Sequence, residues 1–286
     1  MQILLKIGLF LTASMILSIA EDIVDIDPPE VPEFKPLFDG ESYEGWYIKL
    51  RDGDKALGEK VFAIEDGMIH VFNDQWPDEI DLNQGTDATL GMMYTEKTYD
   101  KYHLKFEYKW GSRKANYFKR WKYDAGVYYH ITDDKVYPIG VEFQIHYLPG
   151  KNINNTGDLI RPGGQTYDWY FDPETSVYLH PDDGGVLFNG QKSYKEKKWL
   201  HSAKDPKHFN GLNGEWNLCE IIAMGGEYTI HKLNDEVVNM AFNLDPAAGI
   251  IGFQSETAEI FYKNIEIKEF DESVPAKTFL DASSTK

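Results

Sequence analysis

Glu142, Gln144 and His146 stand two residues apart in the run Gly140-Val-Glu-Phe-Gln-Ile-His-Tyr147. In an extended strand that spacing puts all three on one face, while Val141, Phe143, Ile145 and Tyr147 point the other way. One face is core and the other carries a carboxyl, an amide and an imidazole. These supply a proton acceptor, a neutral hydrogen-bonding group and a group that titrates near neutrality. The competing reading is an ordinary solvated face, because antiparallel sheets commonly leave one side polar.

Such a row needs a sheet to hold it. From residue 34 to residue 270 the chain consists of short alternating runs separated by Gly, Asn, Asp and Pro, with no sustained helical period. Strands are predicted at 102–110, 125–131, 141–148, 216–224, 228–233, 236–241, 250–254 and 260–270. Gly225-Gly226 and Asn234-Asp235 read as tight turns between neighbouring strands. The fold class is therefore all-β, and the length suits one large β domain. Residues 151–213 break the alternation with Gly, Asn, Asp, Pro and scattered aromatics, and read as long structured loops of the kind that carry function.

Residues 1–20 hold one cation, Lys6, then an apolar run ending Ser18-Ile19-Ala20 before Glu21 and Asp22. This is the pattern of a cleaved secretory signal. The apolar run falls short of the roughly 20 residues a spanning helix needs, so no membrane insertion is expected after cleavage, and the destination is periplasmic or secreted. Residues 21–33, acidic with Pro28, Pro29 and Pro32, read as a linker; 34–271 form the domain and 272–286 a frayed tail. The only cysteine, Cys219, allows no intramolecular disulfide and lies too far from the processing site for lipid attachment. It reads as a small buried residue. A formal charge of −18 repels phosphate backbones and anionic lipid, which argues against nucleic-acid partners. Seven Trp and eighteen Tyr argue for carbohydrate, whose rings suit aromatic faces with polar edges.

An ordered set of segments resembles the 3-keto-disaccharide hydrolase family of exported bacterial proteins. They are Pro36-Leu-Phe-Asp-Gly40 with Gly45-Trp46, Ile64-Glu-Asp-Gly-Met68, Tyr102-His-Leu-Lys-Phe-Glu-Tyr108, Asp124-Ala-Gly-Val-Tyr128, Gly140-Val-Glu-Phe-Gln-Ile145, Thr156-Gly157, Gly214-Glu-Trp-Asn217, His231-Lys-Leu-Asn234, Gly249-Ile-Ile-Gly-Phe-Gln254 and Lys263-Asn-Ile-Glu-Ile267. The resemblance implies a two-sheet concanavalin-like jelly-roll sandwich whose concave face holds a sugar. It also implies cleavage of glycosides oxidised to a ketone at carbon 3. The chain departs from the family pattern at Asp124-Ala125, at Asn234-Asp235 and in its longer middle.

A ketone at carbon 3 acidifies the hydrogen on carbon 2, so the anomeric oxygen can leave by elimination and water can add afterwards. The route needs a base, a donor or cation for the enolate oxygen, and an acid for the leaving oxygen. Glu142 and His146 fit base and acid in either order, and Gln144, or Lys109 on a neighbouring strand, could polarise the ketone. Glu107 and Lys109 are candidate substrate contacts whose alternative is a solvated strand face. Tyr128, Arg161, Tyr167 and Trp169 are candidates for gripping the sugar, with loop packing as the alternative.

Two other enzyme or binding classes compete. An ordinary glycosidase could pair Glu107 with Glu142 across adjacent strands about 4.8 Å apart, although the second glutamate of a laminarinase-type strand is missing at Tyr147 and Leu148. A lectin-like module would need aromatic platforms without a titrating acid and imidazole. A divalent cation is a further possibility: His130 is expected beside the Glu142 row, which would make His130, Glu142 and His146 a ligand set. His180, Asp182, Asp183, His201, Asp205 and His208 are ligand types without a recognised spacing, and His201, Asp205 and His208 read as a solvated loop.

Overall fold

The computed structural model describes residues 32–51, 55–73, 90–115, 123–161, 165–188 and 200–280. The signal reading, the linker up to residue 31 and the last six residues of the tail lie outside the described residues. In chain order the strands are β1 (Lys35–Pro36), β2 (Trp46–Leu50), β3 (Phe62–Glu65), β4 (Met68–Val71), β5 (Gly91–Thr95), β6 (Lys101–Lys114), β7 (Tyr123–Ile131), β8 (Val141–Leu148), β9 (Ile153–Asn154) and β10 (Leu159–Ile160). There follow β11 (Thr166–Phe171), β12 (Val186–Leu187), β13 (Leu200–His201), β14 (Asn217–Met224), β15 (Tyr228–Leu233), β16 (Glu236–Asp245), β17 (Ile250–Ser255) and β18 (Ala258–Glu269).

They form two antiparallel sheets, the two-sheet jelly-roll sandwich expected. One has ten strands in the order β12-β11-β16-β15-β14-β6-β18-β4-β3 with β1 beside β18; the other has eight, β13-β10-β8-β7-β17-β5-β2, with β9 beside β8. Alternation explains each layer. On β6, Tyr102, Leu104, Phe106, Tyr108 and Trp110 are buried while Lys105, Glu107 and Lys109 face outward. Phe106 meets Phe143 of β8 at 5.9 Å and Phe253 of β17 at 5.5 Å, both edge-to-face. The core is thus a layer of interlocked rings between the sheets. Cys219 is fully buried in it.

Strands predicted from alternation are present with ends shifted by a few residues, and β8 and β15 coincide with the predicted spans. Asn234 and Asp235 both take positive φ (50° and 68°), the geometry of a two-residue hairpin turn matched to strand twist. Two expectations fail. Residues 151–213 are not simply loop, since β9 to β13 lie within them. Nor is the whole of 272–286 frayed: α2 (Lys277–Leu280), after the short α1 (Lys55–Val61), buries Phe279 against the core cluster. Five apolar or aromatic positions in these fifteen residues, Val274, Ala276, Phe279, Leu280 and Ala282, are too few for a pattern argument to detect that docking.

Candidate active site

β8 lies inside the eight-stranded sheet between β7 and β10. Phe143 and Ile145 enter the core, so Glu142, Gln144 and His146 occupy the outer face, as the spacing predicts. Across β7, Tyr128 stands opposite Glu142, Gly126 opposite Gln144 and Asp124 opposite His146. Gly126 is required there: a Cβ at this position would lie 2.3 Å from Glu142 Oε1, so the missing side chain is the space that the carboxyl fills.

Glu142 is 4% exposed. Burial pushes its carboxyl well above the usual range; the adjacent Tyr128 phenol opposes the rise, and the charges of Glu256, Asp124 and Asp158 reinforce it. The protonated form is favoured. Tyr128 is itself buried, and its phenol is pushed far up by burial and by Glu142, so it stays a hydrogen-bond donor.

Gln144 donates through Nε2 to Asp124 Oδ1 at 2.6 Å and to the Ala125 carbonyl at 3.1 Å. Both amide hydrogens are therefore committed to β7. Gln144 cannot polarise a ketone as a donor; it positions Asp124. His146 is half-buried, and its Nδ1 lies 3.0 Å from Asn155 Oδ1. An amide oxygen only accepts, so Nδ1 carries the hydrogen and the neutral imidazole keeps its lone pair on Nε2.

Several residues on this face were missed. Asp124 shares alternation with Gly126 and Tyr128, a signal present in Asp124-Ala-Gly-Val-Tyr128. Gln254, two residues from the Gly252 that pairs with Tyr128, is 1% exposed with no hydrogen-bond partner at Oε1. Glu256 accepts from the Tyr137 hydroxyl at 3.0 Å. Asp158, whose backbone carbonyl accepts from Gln144 N–H, is fully buried, and its carboxyl is pushed up to about 8 by burial, against the Ala203 N–H that it accepts at 2.7 Å.

Other expected site residues lie elsewhere. His130 does not join the Glu142 row. β7 carries a bulge, with Ile131 opposite Ile250 and Tyr128 opposite Gly252. Two residues thus face one, and His130 takes a φ of 50°. The bulge turns its ring toward Tyr102 and Tyr129 at 6.2 and 5.3 Å, fully buried, and burial lowers its imidazole to about 4. The His130-Glu142-His146 ligand set is therefore not assembled. Among the described residues no cluster of three or more His, Cys, Asp or Glu has metal-binding geometry.

Glu107 and Lys109 belong to β6, in the opposite sheet. Glu107 accepts from Asn264 at 2.5 Å and pairs with Lys263 at 3.5 Å, so it cannot form a carboxylate pair with Glu142. Tyr167 and Trp169 are core residues of β11. The Tyr167 hydroxyl lies 2.9 Å from His201 Nδ1, and Trp169 donates to Asn239 Oδ1 at 2.9 Å while stacking on His201 and Phe171. His201 is correspondingly 2% exposed rather than on a solvated loop, and burial lowers it to about 3. Arg161 follows Ile160, which stands opposite Glu142, and its guanidinium covers the Tyr167 ring at 5.5 Å.

A family model described as a 3-keto-alpha-glucoside-1,2-lyase-like domain matches residues 33–268. No curated protein matches the chain. Among solved structures, two Parabacteroides distasonis proteins provisionally named glycosyl hydrolases align at 18% and 16% identity with TM-scores of 0.48 and 0.47. Each covers 83% of this chain, and the alignments cover 94% and 100% of those chains. The carbohydrate-binding module CBM66 from Bacillus subtilis aligns at 10% identity and a TM-score of 0.39, over 63% of this chain and 82% of that one.

Proposed function

The chain belongs to the 3-keto-alpha-glucoside-1,2-lyase-like family, a carbohydrate-active assignment, and from that premise we propose that it cleaves glycosides oxidised to a ketone at carbon 3. The observation that carries this reading is the pairing, on one strand face, of a buried carboxyl with a half-buried imidazole whose Nδ1 faces the Asn155 amide oxygen at 3.0 Å; burial favours the carboxyl's protonated form. Four steps along the strand separate their Cα atoms by ~13 Å, enough for a pyranose between the two side chains.

In the proposed reaction His146 Nε2 takes the carbon 2 proton, and the electron pair of that C–H bond passes into the enolate of the ketone. The enolate reforms the carbonyl as the carbon 1–oxygen bond breaks, and Glu142 delivers its proton to the departing oxygen. The products are an alcohol and a sugar with a double bond between carbons 1 and 2. Addition of water across that bond makes the net reaction a hydrolysis. Gln144 acts as a positioning residue through Asp124.

An ordinary glycosidase remains the second reading, because Asp124 and Glu256 bring carboxylates close enough to raise Glu142. One experiment separates the readings. A 3-keto-glucoside and the unoxidised glucoside are offered to wild type, Glu142→Gln and His146→Ala in heavy water. Turnover of the keto sugar alone, with deuterium exchange at carbon 2, is expected. Turnover of the unoxidised sugar overturns the elimination reading in favour of the glycosidase, and binding without turnover favours a lectin. Export is part of the proposal, and cell fractionation tests it: retention of the full-length chain in the cytosol would sink it.

A further inference from the structure

The turn between β9 and β10 carries Asn155, whose side chain touches the His146 imidazole, and its backbone is tied to β8 at every step. Asn155 N–H donates to the His146 carbonyl at 2.9 Å and His146 N–H to Thr156 Oγ1 at 3.3 Å. Gly157 N–H donates to the Gln144 carbonyl at 2.8 Å, and Gln144 N–H to the Asp158 carbonyl at 3.1 Å. Asp158 N–H closes the turn on the Asn155 carbonyl at 3.1 Å. Thr156 and Asp158 are buried.

The opposite sheet grips the same turn. The Gly157 carbonyl accepts from His231 Nδ1 of β15 at 3.0 Å and from Asn239 Nδ2 of β16 at 3.2 Å. A carbonyl only accepts, so His231 carries its hydrogen on Nδ1. Burial lowers that imidazole to about 3, against the Gly157 bond, and the neutral ring accepts the Tyr129 hydroxyl on Nε2 at 2.9 Å. Asn239 is fixed in turn: it also donates to the His201 carbonyl and accepts from Trp169 Nε1, both at 2.9 Å. Gly157 leaves no slack, since its φ is 94° and a Cβ would lie 2.5 Å from Val238 Cγ2.

The neighbours of Asn155 orient its amide. Burial raises the Asp158 carboxyl, and the Ala203 N–H and the Asn155 side chain oppose the rise. Opposition of that kind comes from a donor, so Asn155 turns its nitrogen to Asp158 and its oxygen to His146. We infer that Asn155 is a positioning residue that holds the His146 hydrogen on Nδ1, and that His231 and Asn239 set it there by gripping Gly157. An imidazole on one sheet is thus oriented by groups on the other. From the proposed reaction this takes only the role of His146 as the base. A neutral imidazole with its hydrogen fixed on Nδ1 accepts a proton at Nε2, and a hydrogen-bonded support of this kind keeps tautomer and ring plane fixed for the transfer.

The test reads the tautomer by nitrogen–proton NMR of the full-length chain carrying isotope-labelled histidine, at a pH where His146 is neutral, with its signals assigned by their loss in His146→Ala. The hydrogen is expected on Nδ1 in wild type and in Asn155→Asp, whose carboxylate still accepts. Asn155→Leu, which cannot accept, and Gly157→Ala, which displaces the turn, should both lose that preference and lower kcat by ~10- to 10²-fold with a smaller change in KM. Hydrogen on Nε2 in wild type, an unaltered tautomer in folded Asn155→Leu, or an unaltered tautomer and kcat in folded Gly157→Ala overturns the proposal. Where Gly157→Ala does not fold, His231→Leu, which removes one of the two side-chain donors to Gly157, is read in the same way. The expected tautomer pattern without turnover of a keto sugar overturns the proposed reaction and leaves the positioning of His146 standing.

Discussion

Asp158 shows what burial does to one carboxyl in this protein. Its pKa rises from 3.8 to about 8, mainly through burial. An unfolded chain ionises this group near 3.8, whereas the folded chain keeps it protonated up to about 8. Between those values the folded state holds the extra proton, so this group's contribution makes stability fall as pH rises through the window and level off above it. Asp158→Asn keeps an oxygen for the Ala203 N–H and removes the titration. The Tm of wild type should therefore fall from pH 4 to pH 8 more steeply than that of Asp158→Asn, and parallel profiles would exclude Asp158 as the source. Glu142 follows the same logic in catalysis. Its protonated form is the proposed acid, so the alkaline limb of the rate profile should disappear in Glu142→Gln along with ~10²- to 10⁴-fold of the rate. An alkaline limb that survives in that variant would assign the acid elsewhere.

At the scale of elements, the strand period made β8 legible because its two faces differ sharply in polarity, and the same rule places Asp124, Gly126 and Tyr128 on β7. It failed two residues later. The bulge at Tyr129 and His130 interrupts the period, and an insertion of one residue moves every side chain beyond it to the other face. Neighbour relations were illegible for a different reason. β6 and β8 both show clean alternation, but partner choice depends on contacts far apart in the chain, and it put Glu107 and Lys109 in the other sheet. Tyr167 and Trp169 misled because irregular composition around β11 masked a strand that buries both rings. Gly126 tests how closely β7 and β8 fit. A Cβ there would lie 2.3 Å from Glu142 Oε1 and 2.9 Å from Cγ and Cδ, so Gly126→Ala must turn the carboxyl aside. The expected result is a ~10²-fold fall in kcat with a smaller change in KM. A variant of unchanged kcat would show that the carboxyl's position is not critical.

For the molecule as a whole, the two ends of the described domain meet on one patch of the ten-stranded sheet. Phe34 lies edge-on to His103 at 5.0 Å, and Phe279 of α2 approaches the same ring at 5.7 Å. His103 is buried, which lowers its pKa, and its Nε2 lies 2.6 Å from Glu220. Glu220 is held below the usual carboxylate range: burial opposes ionisation, but the His103 hydrogen bond and nearby Lys105 and Lys232 outweigh it. The pair is thus a neutral imidazole donating to a carboxylate, shielded by both ends of the described domain. Tyr228 also donates to the Val274 carbonyl, which fastens the approach to α2. Without α2, Phe279 and its neighbours would lose their packing and water would reach the His103–Glu220 pair. Deleting residues 272–286 should therefore destabilise the domain by about 2 kcal/mol, within the range for losing one partly buried aromatic and its contacts. In urea the midpoint should fall while the slope stays nearly constant, because the main core still unfolds as one unit. Phe279→Ala should reproduce most of the shift without shortening the chain. If the deletion moves the midpoint and Phe279→Ala does not, the stabilisation comes from the Val274 anchor; if neither moves it, closure of the two ends over His103 contributes nothing to stability.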